Sequence, residues 1–330
     1  MAAQPLKIGY LMDPLPGIDI DKDSTFVLML EAQRRGHEIF YAAAADLAVR
    51  SGTTEARLWP VEVRRSRGDH FTLGEPRRRP LAELDVLFLR KDPPFDMAFF
   101  FDTQLVSLAG AGPLFVNDPR GLREANEKLY ALRFPEIVPE SLVTSDPWLL
   151  RQFMADLGGE MIIKPLDGCG GAGVFHLREG DRNLNAILET TTAGGRRLMA
   201  QRYVPEVRRG DKRIILINGE PRGGVLRVPS ENESRSNFHV GGSALKTELT
   251  TRDLEICARI APDLVRDGLI FVGIDVIGDW LTEINVTSPT GIQEINALDG
   301  VCLEAEMIDW VERQASRLPP AASALADQGR

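Results

Sequence analysis

Phe271-Val-Gly-Ile-Asp275-Val-Ile-Gly278-Asp279-Trp-Leu-Thr-Glu283-Ile-Asn285-Val-Thr-Ser288-Pro-Thr290 decides the fold of the second half of the chain. Two apolar runs flank a Gly-Asp turn, the pattern of a β-hairpin. Glu283 and Asn285 lie two residues apart, so they share one face of their strand, and Ile284 and Val286 occupy the other. A loop spanning Gly278 to Trp280 sets Asp275 opposite Glu283 and gathers three oxygen-bearing side chains. A two-residue loop switches the parity and separates them. Two carboxylates and an amide on one sheet face repel one another unless a cation neutralises them. Oxygen donors without His or Cys suit magnesium or manganese shared with phosphates.

Upstream, the strand Met161-Ile-Ile-Lys164 runs into Asp167-Gly168-Cys169-Gly170-Gly171-Ala-Gly173. Glycines at this density let backbone amides approach a polyphosphate closely, and Lys164 adds a point charge. The loop lacks the GK[ST] ending of a P-loop. The first β-α turn, Asp13-Pro14-Leu-Pro, lacks the dinucleotide fingerprint. A lysine, a glycine loop and a carboxylate-rich face together describe phosphoryl chemistry.

The first half reads as β-α-β: a strand from Leu6 to Met12, a helix capped by Ser24 and ended at Gly36, and a strand from Glu38 to Ala42. Further strands are expected at Leu84 to Leu89 and Pro113 to Val116, with a helix from Met97 to Ala109 between them. Another helix, following Asp118-Pro119, is expected to carry Asn126-Glu127-Lys128. The Arg-rich stretch holding Arg57, Arg64, Arg65, Arg67, Arg77, Arg78 and Arg79 reads as a solvated hairpin or loop, because no aromatic residues interleave it. Antiparallel hairpins dominate after residue 200.

A length of 330 residues predicts two domains or three small ones, at about 150 residues each. Apolar residues make up 43% and charged residues 26%, enough for a real core and unlike a disordered or coiled-coil chain. A net charge of −9 is the wrong sign for a nucleic acid or an anionic membrane as main partner. Three scattered cysteines (Cys169, Cys257 and Cys302) support neither a disulfide framework nor a zinc cluster. With no signal-peptide or membrane-span pattern, the expected setting is the cytoplasm.

Several longer strings carry a resemblance. Arg90-Lys-Asp-Pro-Pro-Phe-Asp96, Asn126-Glu-Lys128, Lys164-Pro-Leu-Asp-Gly168, Gly210-Asp-Lys-Arg213 and Leu281-Thr-Glu-Ile-Asn-Val-Thr-Ser-Pro289 are similar to those of bacterial glutathione synthetases, which are ATP-grasp ligases. In family order they cover almost the whole chain. The resemblance implies an α/β chain with α+β elements: an N-terminal α/β substrate-binding domain (1–122), a central ATP-grasp lobe (123–200), a C-terminal lobe (201–318) and a flexible tail (319–330). It implies that Lys128 and Lys164 contact ATP phosphates beside Gly168, Gly170 and Gly171. Gln201, Arg202, Tyr203 and Val204 then line the adenine slot, Asp211 lies near the ribose, and Arg213 lies near the reacting phosphate. Asp275, Glu283 and Asn285 match the magnesium ligands. Arg90, Arg227, Ser288, Pro289 and Thr290 face the peptide substrate.

The segment 228–243 suits a lid over a water-sensitive intermediate. It retains Arg235, Asn237, Gly241 and Gly242 as catalytic or substrate contacts, with Ser-Glu-Asn-Glu where the family has more glycine. The implied reaction joins γ-glutamylcysteine to glycine through an acyl phosphate, uses ATP with Mg2+ or Mn2+, and takes place in a homotetramer. Cys169 reads as a small loop residue. Two alternatives stay open on the residues alone: an ATP-grasp ligase with another peptide or acceptor amine, and a non-catalytic ATP-binding regulator.

Overall fold

The computed structural model describes residues 4–110, 112–229 and 243–317. The expected tail, and the lid residues Arg235, Asn237, Gly241 and Gly242, lie outside them.

The N-terminal sheet is built from β1 (Lys7–Met12), β2 (Glu38–Ala42), β3 (Leu47–Arg50), β4 (Thr53–Val63), β5 (Phe71–Leu73), β6 (Arg77–Pro80), β7 (Val86–Arg90) and β8 (Leu114–Val116). Its central strands β2, β1, β7 and β8 are parallel. Helix α1 (Ser24–Arg34) follows β1, while α2 (Met97–Ser107) and the short α3 (Pro119–Glu124) flank β8. Side chains from both sheet faces are buried, Ile8, Tyr10 and Phe88 in one cluster and Leu11, Leu87 and Leu89 in another, which explains the unbroken apolar runs of these strands. The Arg-rich stretch forms the antiparallel β4-β5-β6 unit. Arg57, Arg64, Arg67 and Arg79 pair there with carboxylates.

Two local expectations need correction. Asp23, not Ser24, caps α1: its carboxylate accepts from the Phe26 N–H at 2.6 Å, and Ser24 is the first helical residue. Helix α3 stops before Asn126, so the Asn-Glu-Lys segment is not helical. The Asn126 side chain instead accepts from the N–H groups of Lys128 and Leu129, a turn that competes with the helix.

The central sheet orders β11 (Phe175–Arg178), β10 (Glu160–Pro165), β12 (Leu198–Arg202) and β9 (Ser141–Thr144). Helices α4 (Pro147–Asp156) and α5 (Leu184–Thr192) cover it through a cluster holding Leu150, Met161, Ile163, Leu177 and Leu188. The third sheet orders β15 (Ser243–Lys246), β14 (Glu220–Val228), β13 (Asp211–Ile217), β16 (Phe271–Ile277) and β17 (Trp280–Asn285). It is backed by α6 (Thr251–Arg266), α7 (Ile292–Asp299) and α8 (Leu303–Ala315). Among the described residues no helix is long and apolar enough to cross a membrane.

The β16-β17 hairpin overturns the expected loop and preserves its consequence. The turn is the two residues Gly278 and Asp279, with Gly278 at φ 57°. Register then shifts between Asp275 and Val276, leaving Thr282 as an extra residue on β17. This β-bulge restores the parity that the short turn removes, and Asp275 pairs with Glu283 after all.

Candidate active site

The central sheet and the third sheet face each other across a cleft of about 1120 Å³, counted out to its open mouth. Lys164, Ile162, His176 and Gln201 reach it from the central side by strand alternation, because Met161, Ile163 and Ala200 point into the core. At one end lie Ile162, Val174, Val204 and Val207, with Tyr203 stacked on His176 at 4.0 Å between centroids and 19° between planes. His176 Nε2 is 2.7 Å from Glu160 Oε1. Neither His176 nor Ile162 was singled out from sequence; the β10-β11-β12 register alone aligns them with Gln201.

The other end is charged. Lys128 Nζ donates to Glu127 at 2.5 Å and to the Gly168 carbonyl at 2.7 Å, and stands 3.7 Å from Glu283. Lys164 Nζ stands 3.8 Å from the same carboxylate and 3.4 Å from the Thr282 carbonyl, so the bulge receives the lysine. Burial pushes the Lys164 ammonium below its ordinary value, against the pull of Glu283. Burial also opposes the charge of Lys128, but Glu283 and Glu127 outweigh it and raise that group. The Glu127 carboxyl is raised, first by burial and then by the nearby Glu283. Glu127 was quoted in the sequence without a role, and its place beside Glu283 comes from the Ile284 N–H bonding its carbonyl at 2.9 Å.

The glycine loop closes over this end. Gly170, Gly171 and Gly173 have φ of 59°, 80° and 72°, a conformation side chains rarely adopt. A Cβ on Gly168 would meet the Ala172 carbonyl at 2.9 Å.

On the third sheet, Asp275 is held by two guanidiniums. Arg213 is bidentate to it at 2.6 and 3.1 Å, and Arg227 Nη2 lies 2.9 Å away while also gripping Asp211 at 2.6 Å. Burial alone would raise the Asp275 carboxyl, yet Arg213 and Arg227 hold it far below the usual carboxylate range. Asn285 Nδ2 lies 3.2 Å from Asp275 Oδ2. The structure therefore brings Asp275, Glu283, Asn285, Lys128, Lys164, Arg213, Arg227 and Asp211 into one region. Arg90 lies further along the same side, donating to the Pro289 carbonyl, while Arg213 donates to that of Thr290.

Among the described residues no group of three His, Cys, Asp or Glu side chains is arranged to hold a metal ion. The set present is two paired carboxylates and an amide, all hard oxygen donors. It fits a magnesium-type cation that takes its remaining ligands from phosphate.

Comparison with known proteins agrees with this geometry. The family model for the N-terminal domain of prokaryotic glutathione synthetase matches residues 6–123, and that for its ATP-grasp domain matches residues 127–300. The glutathione synthetase of Brucella melitensis is 52% identical over 93% of this chain and 98% of its own length. That of Mesorhizobium japonicum is 48% identical over the same shares. Among solved structures, D-cycloserine synthetase DcsG has a TM-score of 0.66 at 15% identity, covering 94% of this chain and all of that one. D-alanine–D-alanine ligase from Bacillus anthracis has a TM-score of 0.57 at 14% identity, covering 94% and 98%. The distant structures share the ATP-grasp fold, and both family models and the near relatives span most of the sequence; this chain belongs to the prokaryotic glutathione synthetase family of ATP-dependent carboxylate–amine ligases.

Proposed function

We propose that the cleft joins the cysteinyl carboxylate of γ-glutamylcysteine to the amine of glycine, consuming ATP and giving glutathione, ADP and phosphate. The observation that carries this reading is the division of the cleft. A flat, largely apolar end beside Tyr203 suits a purine, and two lysines meet a metal-type carboxylate at the other end. Gln201, Arg202, Tyr203 and Val204 take the adenine and Asp211 the ribose. Lys128, Lys164 and the amides of Gly168, Gly170 and Gly171 take the phosphates.

The cysteinyl carboxylate oxygen attacks the γ-phosphorus, and the bond to the β–γ bridging oxygen breaks, leaving ADP and an acyl phosphate. The glycine nitrogen then attacks the carbonyl carbon, loses a proton and expels phosphate. Asp275, Glu283 and Asn285 would hold Mg2+ or Mn2+, which supplies charge neutralisation on the triphosphate. Lys128 and Lys164 lower the repulsion between carboxylate and triphosphate, and Arg213 offsets charge on the transferred phosphoryl group. No protein nucleophile is needed. Arg90, Arg227, Ser288, Pro289 and Thr290 hold the peptide. On the family resemblance, Arg235, Asn237, Gly241 and Gly242 complete the enclosure, the enzyme is a cytoplasmic homotetramer, and the domains divide near residues 122 and 200.

The test is product mass and phosphate release with ATP, magnesium, γ-glutamylcysteine and a panel of amines, each component omitted in turn. One phosphate per tripeptide, with glycine required, is the expected result. Phosphate release without glycine incorporation would move the acceptor elsewhere. Tight ATP binding without turnover would favour a regulator.

A further inference from the structure

Helix α2 is apolar on two opposite sides, and only one of them is packed. From Met97 to Leu108 eight of the twelve residues are apolar and Asp102 alone is charged, so neither side reads as a solvated face. Phe99, Thr103 and Val106 are buried against the N-terminal sheet, with Val106 in the cluster of Leu11, Leu87 and Leu89. The other side is open. Met97 is 61% exposed, Phe101 55% and Leu108 55%, and Gln104 is exposed between them. Asp102 does not interrupt this side, because it lines a separate pocket with Asp13 and Lys91. A helix that is hydrophobic all round belongs in an interior, so the open side of α2 calls for a cover.

Neighbouring elements hold the helix in place. Arg123 Nη1, from α3, donates to the Thr103 carbonyl and to Ser107 Oγ, both at 2.9 Å, and Thr54 Oγ1, from β4, donates to the Leu105 carbonyl at 2.8 Å. Val49, paired with Thr54 and 38% exposed, widens the apolar strip beside the helix.

Three features point to a second copy of this chain as the occupant. The first is spacing. Residues 97, 101, 104 and 108 follow one another by four, three and four, the spacing of a coiled-coil seam, and the series is the same read from either end. A twofold axis between Phe101 and Gln104 therefore lays an antiparallel copy in register, with Met97 against Leu108 of the second copy and Phe101 against Gln104. Antiparallel helices also oppose their macrodipoles favourably. The second feature is charge. The chain carries −9 overall, so two copies repel except where they meet without charge, and the open seam of α2 has no charged residue. A charged partner would lose its water there with nothing to pair. The third feature is area. The three most exposed side chains of the seam and Val49 present roughly 400 Å2, about half of the ~800 Å2 that each partner gives to a standard interface, which suits an apolar core inside a polar rim. The described end of the chain lies elsewhere: α8 packs with α1 in the cluster on the opposite face of the N-terminal sheet.

We propose that the open side of α2 pairs with the same side of a second copy about a twofold axis, an isologous contact. The contact does not draw on the ligase reading. It gives a face to one contact of the homotetramer that the family resemblance implies.

The experiment measures particle mass by light scattering during size-exclusion chromatography of the full chain at about 10 µM, because self-association depends on protomer concentration. The wild type should run at an even multiple of the chain mass. Phe101→Asp, which buries a carboxylate near the axis in each copy, should halve that mass with the circular dichroism spectrum unchanged. Adding Gln104→Lys to Phe101→Asp should restore it, because each aspartate then faces a lysine of the other copy. A monomeric wild type, or a Phe101→Asp chain that keeps the full mass, would overturn the proposal, and a double variant that stays at half mass would overturn the antiparallel pairing. Should Phe101→Asp fail to fold, Leu108→Glu, with Met97→Lys as its rescue, gives the same reading. Tripeptide formation is measured separately, so its absence would bear on the ligase reading alone.

Discussion

The third sheet shares its two hydrophobic clusters with the N-terminal sheet, whereas the central sheet packs α4 and α5 into a cluster of its own. The connections differ in the same sense. Asn117, just past β8, is buried and bonds four backbone groups of the third sheet and its approach: the N–H of Ile270, the N–H and carbonyl of Phe271, and the carbonyl of Val286, all at 2.7 to 2.9 Å. Side chains tie the glycine-loop end of the central sheet to its surroundings more thinly, through Asn126 to the Leu166 carbonyl, Lys128 to that of Gly168 and Lys164 to that of Thr282. One wall of the cleft is thus continuous with the N-terminal sheet. The other is a separate small body that carries the glycine loop and Lys164. Such a division would let the third sheet and its arginines stay fixed if the central sheet moved, since few side-chain bonds cross between them.

Asp275→Asn should produce the largest effect, because the fixed wall buries Arg213 and Arg227 against that carboxylate. Ligation should be lost, and stability should fall by about 3–5 kcal/mol, the usual penalty for stranding buried charge, measured by denaturant unfolding. The Asp275 carboxyl is held low in the folded state. Its contribution is therefore full above the ordinary carboxylate range, about pH 4, and is lost as pH falls through the lower folded value. The stability gap between wild type and Asp275→Asn should narrow below about pH 4, and a gap constant down to pH 2 would contradict the pairing.

Glu283→Gln should cut ligation by about a thousandfold with the melting temperature nearly unchanged, since Glu283 is partly exposed and lies beyond 3.5 Å from both lysines. Near-normal turnover would remove it from the metal site. On the other wall, Ile163→Ala should cost about 3 kcal/mol of local stability. Hydrogen exchange should quicken in β10 and β12 and not in β16; equal quickening in both would show the walls to be one body. Tyr203→Ala should raise KM for ATP about tenfold through loss of the stacked ring, with kcat little changed. Cys169→Ala should be the mildest, shifting kcat by less than about twofold, because burial raises its thiol and no step uses it.

Chemistry written in contiguous residues was legible in the sequence. The parallel strands of the first half announce themselves by apolar runs, the glycine loop by its density, and the shared face of Glu283 and Asn285 by their two-residue spacing on β17. What periodicity cannot show is an inserted residue. The bulge at Thr282 both restores the Asp275–Glu283 pairing and offers its carbonyl to Lys164, and nothing in the local pattern distinguishes it from an ordinary strand position. The roles of Glu127 and His176 were hidden for a related reason, since each is an ordinary polar residue until a backbone bond to β17 places the first and the β10-β11 pairing places the second. The failed expectations at Ser24 and Asn126 came from side chains choosing a neighbour one residue away from where composition points.

Local sequence thus determined which elements form and which of their residues carry charge or glycine freedom, because those follow from periodicity and backbone sterics over a few residues. Tertiary structure alone decided that Asp275 would be neutralised by two arginines, that Lys128 and Lys164 would converge on one carboxylate from separate segments, and that Arg90 would be buried with one nitrogen unmatched. These are distances between groups far apart in the chain, set by packing and strand register, and register depends on a single inserted residue.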